Sequence, residues 1–207
     1  MGMTDLLTSW MPGRRSPVAS VAGLAAFLDR HAAFLAQKCS DDYVRGTVGL
    51  NYHAMSQEPT FKEAMTICRW DGFAAMLAGL ILLTQRRLIE AGGDAAAIES
   101  RLARLFAEIL AGHPPPAHRP TGWGELVAAM PARLAEARKT PPSLRDIAAQ
   151  AASRLFEVLP IHARYRELDE EVIHGAVQFR FVSLSDRIQR EIDAAALARA
   201  IAADEPP

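Results

Sequence analysis

Four polar side chains stand where a helical wheel expects apolar ones. Val21, Leu24, Leu28, Leu35 and Cys39 share one face of a long helix, and continuing that face brings in His31, Lys38 and Asp42. On a second long helix, Arg69 falls on the side of Met65, Phe73 and Met76, whereas Asp71 falls elsewhere, with Ala75 and Ala78. Aspartate and lysine are seldom buried without a partner, so the two faces require each other or water. Two chemistries fit. An arginine fork can hold an anionic ligand while a carboxylate or imidazole moves a proton, which would make His31, Lys38, Asp42 and Arg69 a ligand pocket between the two helices. Alternatively, Asp42 and Arg69 form a buried ion pair that fixes the register of the helices. The ion pair is the preferred reading, because no nucleotide, redox or nucleophile signature accompanies the cluster.

Three weaker constellations have simpler explanations. The Asp41-Asp42 pair is similar to the acidic motifs that hold Mg2+ in isoprenoid enzymes, but Arg45 stands where a further acid is needed. A solvated Asp41 beside a buried Asp42 explains the pair. Glu171 and His174 have the Glu-x-x-His spacing of di-iron helical bundles, yet a second copy and further glutamates are missing, which leaves a surface pair. His113 and His118 lie in a proline-rich stretch with neither cysteine nor acid nearby in sequence, as solvated loop histidines do. No metal and no cofactor is expected.

The elements that carry these residues are helical. Residues 59–88 start with Pro59, where a missing N–H is harmless, and stop at Gly92-Gly93 after the basic turn of Arg86 and Arg87. Their middle, from Phe73 to Leu83, is apolar on every side, which places this helix in the centre of a domain. Eleven apolar residues are too few to span a bilayer, which takes about 20. Gly72, Ala75 and Gly79 put small residues on adjacent turns, where a neighbouring helix can come close. Ser20 is the expected N-cap of the helix that runs to Gly46 or Gly49, and Asp94 caps another along Ile98, Leu102, Leu105 and Ile109. Beyond the connector 113–122, Trp123, Val127, Met130 and Leu134 mark a short helix disturbed by Pro131, and a further helix follows Pro141-Pro142 as far as Pro160. Asp193 caps a final alanine-rich helix.

Residues 161–192 read as one helix with two apolar sides. Leu168, Val172, Gly175, Phe179 and Val182 form one stripe; Ile173, Val177, Phe181, Leu184 and Ile188 form the other, continued by Ile192. Both must be covered, and the second is assigned to an interface with a partner or a second copy. The alternation over 177–181 could instead be a strand, but no second strand is present to pair with it.

The resulting expectation is an all-α bundle of six to eight helices around two long antiparallel N-terminal helices. Its parts are an arm at 1–19, a long-helix core at 20–112, the connector at 113–122, and helices at 123–207 packed on the same core. Half of the 207 residues are hydrophobic, enough for a real core. A formal net charge of −1 argues against a surface built to neutralise phosphates, so no nucleic acid is expected. Two cysteines within helices and no secretory apolar stretch fit a reducing cytoplasm. Leu6, Leu7, Trp10 and Met11 beside Arg14 and Arg15 suggest a weak peripheral membrane contact through residues 4–15. Apolar surface exceeds evident chemistry. The leading functional expectation is therefore a non-enzymatic interaction or assembly factor acting through apolar helix faces, as a homo-oligomer or bound to a protein partner. A helical small-molecule-binding protein or enzyme is the alternative, and a helical transcription regulator ranks third.

Overall fold

The computed structural model describes residues 17–166 and 168–203. The expected membrane contact at residues 4–15 and the tail at 204–207 lie outside the described residues. Among those described, the chain is all-α, with helices α1 (Val21–Val48), α2 (Pro59–Glu90), α3 (Ala95–Ala111), α4 (Gly124–Lys139), α5 (Leu144–Val158), α6 (Glu170–Glu191) and α7 (Ala194–Ala203). Single helical turns at Tyr52–Met55 and Ala163–Arg166 interrupt the connections.

Local chemistry sets the helix ends. The Ser20 hydroxyl accepts the Gly23 N–H at 3.1 Å, the Asp94 carboxylate accepts the Ala97 N–H at 2.8 Å, and that of Asp193 accepts the Ala196 N–H at 2.9 Å. Each satisfies a donor that the first helical turn leaves open. Ser143 and Asp146 close a reciprocal capping box at the start of α5. Gly49 ends α1 at φ 54° and Gly92 lies beyond α2 at φ 86°, both in the left-handed region that costs glycine no Cβ clash. Pro131 lies inside α4, which nonetheless continues to Lys139, so the short disturbed helix of the sequence is one sixteen-residue element. Its missing N–H leaves the Val127 carbonyl without its usual helical donor.

α2 is the hub, as its wholly apolar middle requires. Met76 through Gln85 are all buried, covered by α1 on one side, by α5 and α6 on another, and by α3, α4 and α7 around the rest. By length and composition α2 could cross a membrane, but 72% of its most apolar window is buried inside the chain, the condition of a core helix. Its small residues set the closest approaches. A methyl group added at Gly79 would lie 2.8 Å from the Phe181 ring and 3.2 Å from Ile147, and one at Gly72 would lie 3.0 Å from Leu155 and 3.5 Å from Ala36. Asp41 meets Arg69 and Ala36 comes close to Gly72, so contacts descend along α1 as they ascend along α2.

Two expectations about residues 161–192 are corrected. The single helix expected over this stretch starts only at Glu170, after the separate turn Ala163–Arg166, while residues 177–181 lie inside α6 and are helical as expected. Ile173, Val177, Phe181, Leu184 and Ile188, assigned above to a partner interface, are buried in this chain's own core, where α6 packs on α5, α1 and α2. The opposite stripe is the uncovered one: Val172, Phe179 and Val182 are exposed, as is Leu168 just ahead of the helix. The start of the described chain is tied in as well. Val18 donates to the Glu191 carbonyl at 2.7 Å and accepts from the Asp193 N–H at 3.0 Å, an isolated bridge that holds it against the α6/α7 junction.

Candidate functional sites: a buried carboxylate cleft and an arginine-rimmed groove

The four residues first proposed as a pocket are not brought together. Asp42 pairs with Lys38 one turn away, at 2.6 Å, and with Arg180 of α6 at 2.7 Å; its side chain is 43% exposed. Arg69 instead meets Asp41, at 2.8 Å, and Asp41 is the more buried of the two acids. The buried side of α1 explains the exchange. It follows Leu24, Leu28, Ala32, Ala36, Ser40 and Val44, an i+4 row that turns Asp42 toward the rim. Ala32, Ala36 and Ser40 carry little hydrophobic signal, so the row is faint in the sequence. His31 is buried in the adjacent row of α1, between Phe27 and Leu35, with its ring 4.4 Å from that of Phe27. Its Nε2 has no hydrogen-bond partner among the described residues. Burial first, and then the charges of Arg30 and Arg187, push its pKa below 6.5 and favour the neutral ring.

The deeply buried carboxylate is Asp71, with a side chain only 3% exposed. One oxygen accepts from His118 Nε2 at 3.0 Å and Arg119 Nε at 2.9 Å; the other accepts from Arg119 Nη2 at 3.3 Å and from Arg154 Nη2. An ionised carboxylate only accepts, so Nε2 is the protonated nitrogen of His118. Burial pushes the Asp71 carboxyl up, but hydrogen bonds from Arg119 and His118 outweigh it and hold the group below its ordinary 3.8. The proline-rich stretch is therefore docked. His118 and Arg119 clamp it to α2, and His113, 2.8 Å from Asp29, packs its ring on Trp70 and Phe73. The expectation that both histidines are simply solvated is corrected: their acids are distant in sequence and adjacent in space.

Beside Asp71 a cleft of about 590 Å³ opens between α2, α4 and α5. Its apolar floor and walls include Ala74, Ala75, Ala78, Phe106 and Met130. Trp123 also lines it and carries the Arg119 guanidinium 4.7 Å from its ring centre. Arg119 bridges Asp71 and Glu125, the latter at 2.7 Å, and Arg154 bridges Asp71 and Glu157 at 2.8 Å. Arg133 also lines the cleft, and its Nη2 donates to the neutral Gln150 Oε1 at 2.6 Å.

A second concavity, about 440 Å³, runs between α1 and α6. Phe34, Leu35, Phe179 and Leu184 make it apolar, and Phe34 and Phe179 are 55% and 73% exposed. Arg30, Arg180 and Arg187 rim it, with no acidic residue in the lining, although Asp42 holds Arg180 at 2.7 Å and Glu191 lies 3.9 Å from Arg187 just outside it.

Other candidates dissolve into structure. Burial pushes the Cys39 and Cys68 thiols up to about 11 and about 12, so neither is a thiolate near neutral pH. His174 lies 3.8 Å from Glu170 and 3.4 Å from the Ser153 hydroxyl, with Glu171 exposed. Among the described residues no three His, Cys, Asp or Glu side chains group closely enough to hold a metal ion. Compared with protein families, with curated proteins and with solved structures, the chain matches none of them.

Proposed function

We propose that this protein is a non-enzymatic interaction factor that seats an acidic amphipathic helix of a protein partner in the groove between α1 and α6. The observation that carries this is the pairing of exposed Phe34 and Phe179 inside a rim whose charged members are all arginines. Aromatic and arginine side chains are the commonest anchors of interfaces, and a helix-in-groove partner inserts its apolar face at i, i+3, i+4 and i+7. Val172 and Val182 extend the apolar track along α6. Charge selects the occupant. A second copy docked symmetrically would bring Arg30, Arg180 and Arg187 of both copies together, whereas glutamates flanking an apolar stripe would be attracted to them.

The test uses a 20-residue amphipathic peptide with leucines on one face and glutamates on the other, and a twin with lysines in place of the glutamates. Fluorescence anisotropy should report binding of the acidic peptide that weakens with salt, at least tenfold weaker binding of the basic twin, and loss of binding in Phe179→Glu. Equal binding of both peptides, or none of either, would overturn the proposal. So would a dimer seen by light scattering that Phe179→Glu dissociates, since the occupant would then be a second copy.

A further inference from the structure

The cleft beside Asp71 contains a charge that meets no counter-charge among the described residues. Five charged side chains line it: Asp71, Glu125, Arg119, Arg133 and Arg154. Arg119 and Arg154 each hold two carboxylates, and those contacts raise their pKa values: for Arg119 the Asp71 hydrogen bond leads, and for Arg154 the bonds from Glu157 and Asp71 overcome burial. Arg133 is the exception. Among the described residues it meets no carboxylate, only the Gln150 carbonyl oxygen, and burial alone pulls its pKa down. A partly buried guanidinium without a counter-charge carries a desolvation cost, and a bound anion would offset it.

We infer that the cleft between α2, α4 and α5 binds a small monoanion with an apolar body, a monocarboxylate, with its charge on Arg133 and its body against Ala75, Ala78 and Met130. The volume of about 590 Å³ is within the range of small-molecule pockets. The apolar floor gives the body a dry surface, and a carboxylate matches the planar fork of arginine. One negative charge is the limit. Asp71 and Glu125 stand on the same walls, and each repels a second anionic group, which disfavours dicarboxylates and phosphate esters. No residue of this cleft lines the α1/α6 groove, so the site is independent of the proposed partner interface.

The experiment is isothermal titration of the full chain with three eight-carbon probes: octanoate, octan-1-ol and octanedioate. Octanoate should bind at least tenfold tighter than either of the others. Arg133→Met should bring octanoate down to the level of the alcohol, and Arg133→Lys should retain part of the advantage. Gln150→Glu gives Arg133 an internal carboxylate, so it should abolish octanoate binding while keeping the helical circular dichroism of the parent. That variant keeps the test decisive if Arg133→Met fails to fold. Phe179→Glu should leave octanoate binding unchanged, which separates this site from the arginine-rimmed groove. Equal affinity for octanoate and octan-1-ol, no octanoate binding up to millimolar concentration, unchanged binding in Gln150→Glu, or loss of binding in Phe179→Glu would each overturn the inference.

Discussion

Asp71 and Asp42 are built from the same parts and stand in opposite environments. Each carboxylate holds two Lys or Arg side chains, one of them an arginine from a distant helix, Arg154 of α5 for Asp71 and Arg180 of α6 for Asp42, and Asp71 holds His118 as well. Asp71 is sealed beneath the docked connector, whereas Asp42 remains nearly half exposed. Water makes the difference. In high dielectric an ion pair gains little and salt screens it, while Asp71 is buried and Arg119 mostly so, and both depend on their partners because little of either reaches solvent in the folded chain. The comparison also separates what each carboxylate joins. Asp71 ties α2 to the connector and to α5; Asp42 adds a surface link between α1 and α6.

The largest expected effect is at the buried member. Asp71→Ala removes the buried acceptor of His118, Arg119 and Arg154, although Glu125 still holds Arg119 and Glu157 still holds the more exposed Arg154, and should cost about 1 to 3 kcal/mol in denaturant unfolding. A loss below about 1 kcal/mol would place Asp71 in the same energetic class as Asp42 and erase the contrast. Acid gives the next test. The folded pKa of Asp71 is depressed below 3.8, so its stabilisation is complete above that value and is lost as the pH falls through the lower folded pKa. Asp71→Asn should flatten the stability profile in that window; an unchanged slope would mean that other carboxylates drive acid unfolding. The smallest effect is at the rim. Asp42→Ala should change stability by about 0 to 1 kcal/mol at low salt and by less at 1 M salt, and the double-mutant coupling of Asp42 with Arg69 should be near zero. A coupling of Asp42 with Arg69 exceeding that of Asp41 with Arg69 would contradict the observed pairing.

Much of the fold was legible because its signals are local. Ser20, Pro59, Asp94, Gly92 and Asp193 mark helix ends through their own hydrogen-bonding and backbone preferences, and the apolar middle of α2 announces a buried hub. The sites were not legible in the same way. Arg119 and Arg154 follow Asp71 by 48 and 83 residues, and helical periodicity has no information about such partners. The side of α2 bearing Asp71, Ala75 and Ala78 looked unremarkable because alanine hardly contributes to a hydrophobic pattern, although this is the side that lines the cleft. Two apolar stripes were visible on α6. Which one the chain itself covers was decided by Gly79, whose missing side chain makes room for Phe181 and seats that stripe inward.

The bridge between Val18 and the α6/α7 junction has a kinetic consequence. It joins segments almost the whole described chain apart, so little compensates the entropy of closing that loop until the intervening helices have packed. The Val18 amide should therefore gain hydrogen-exchange protection late in refolding, after the amides of α2. In the native state its exchange should report the opening free energy of this seam, and a value below that of α2 would identify the seam as a separately opening unit.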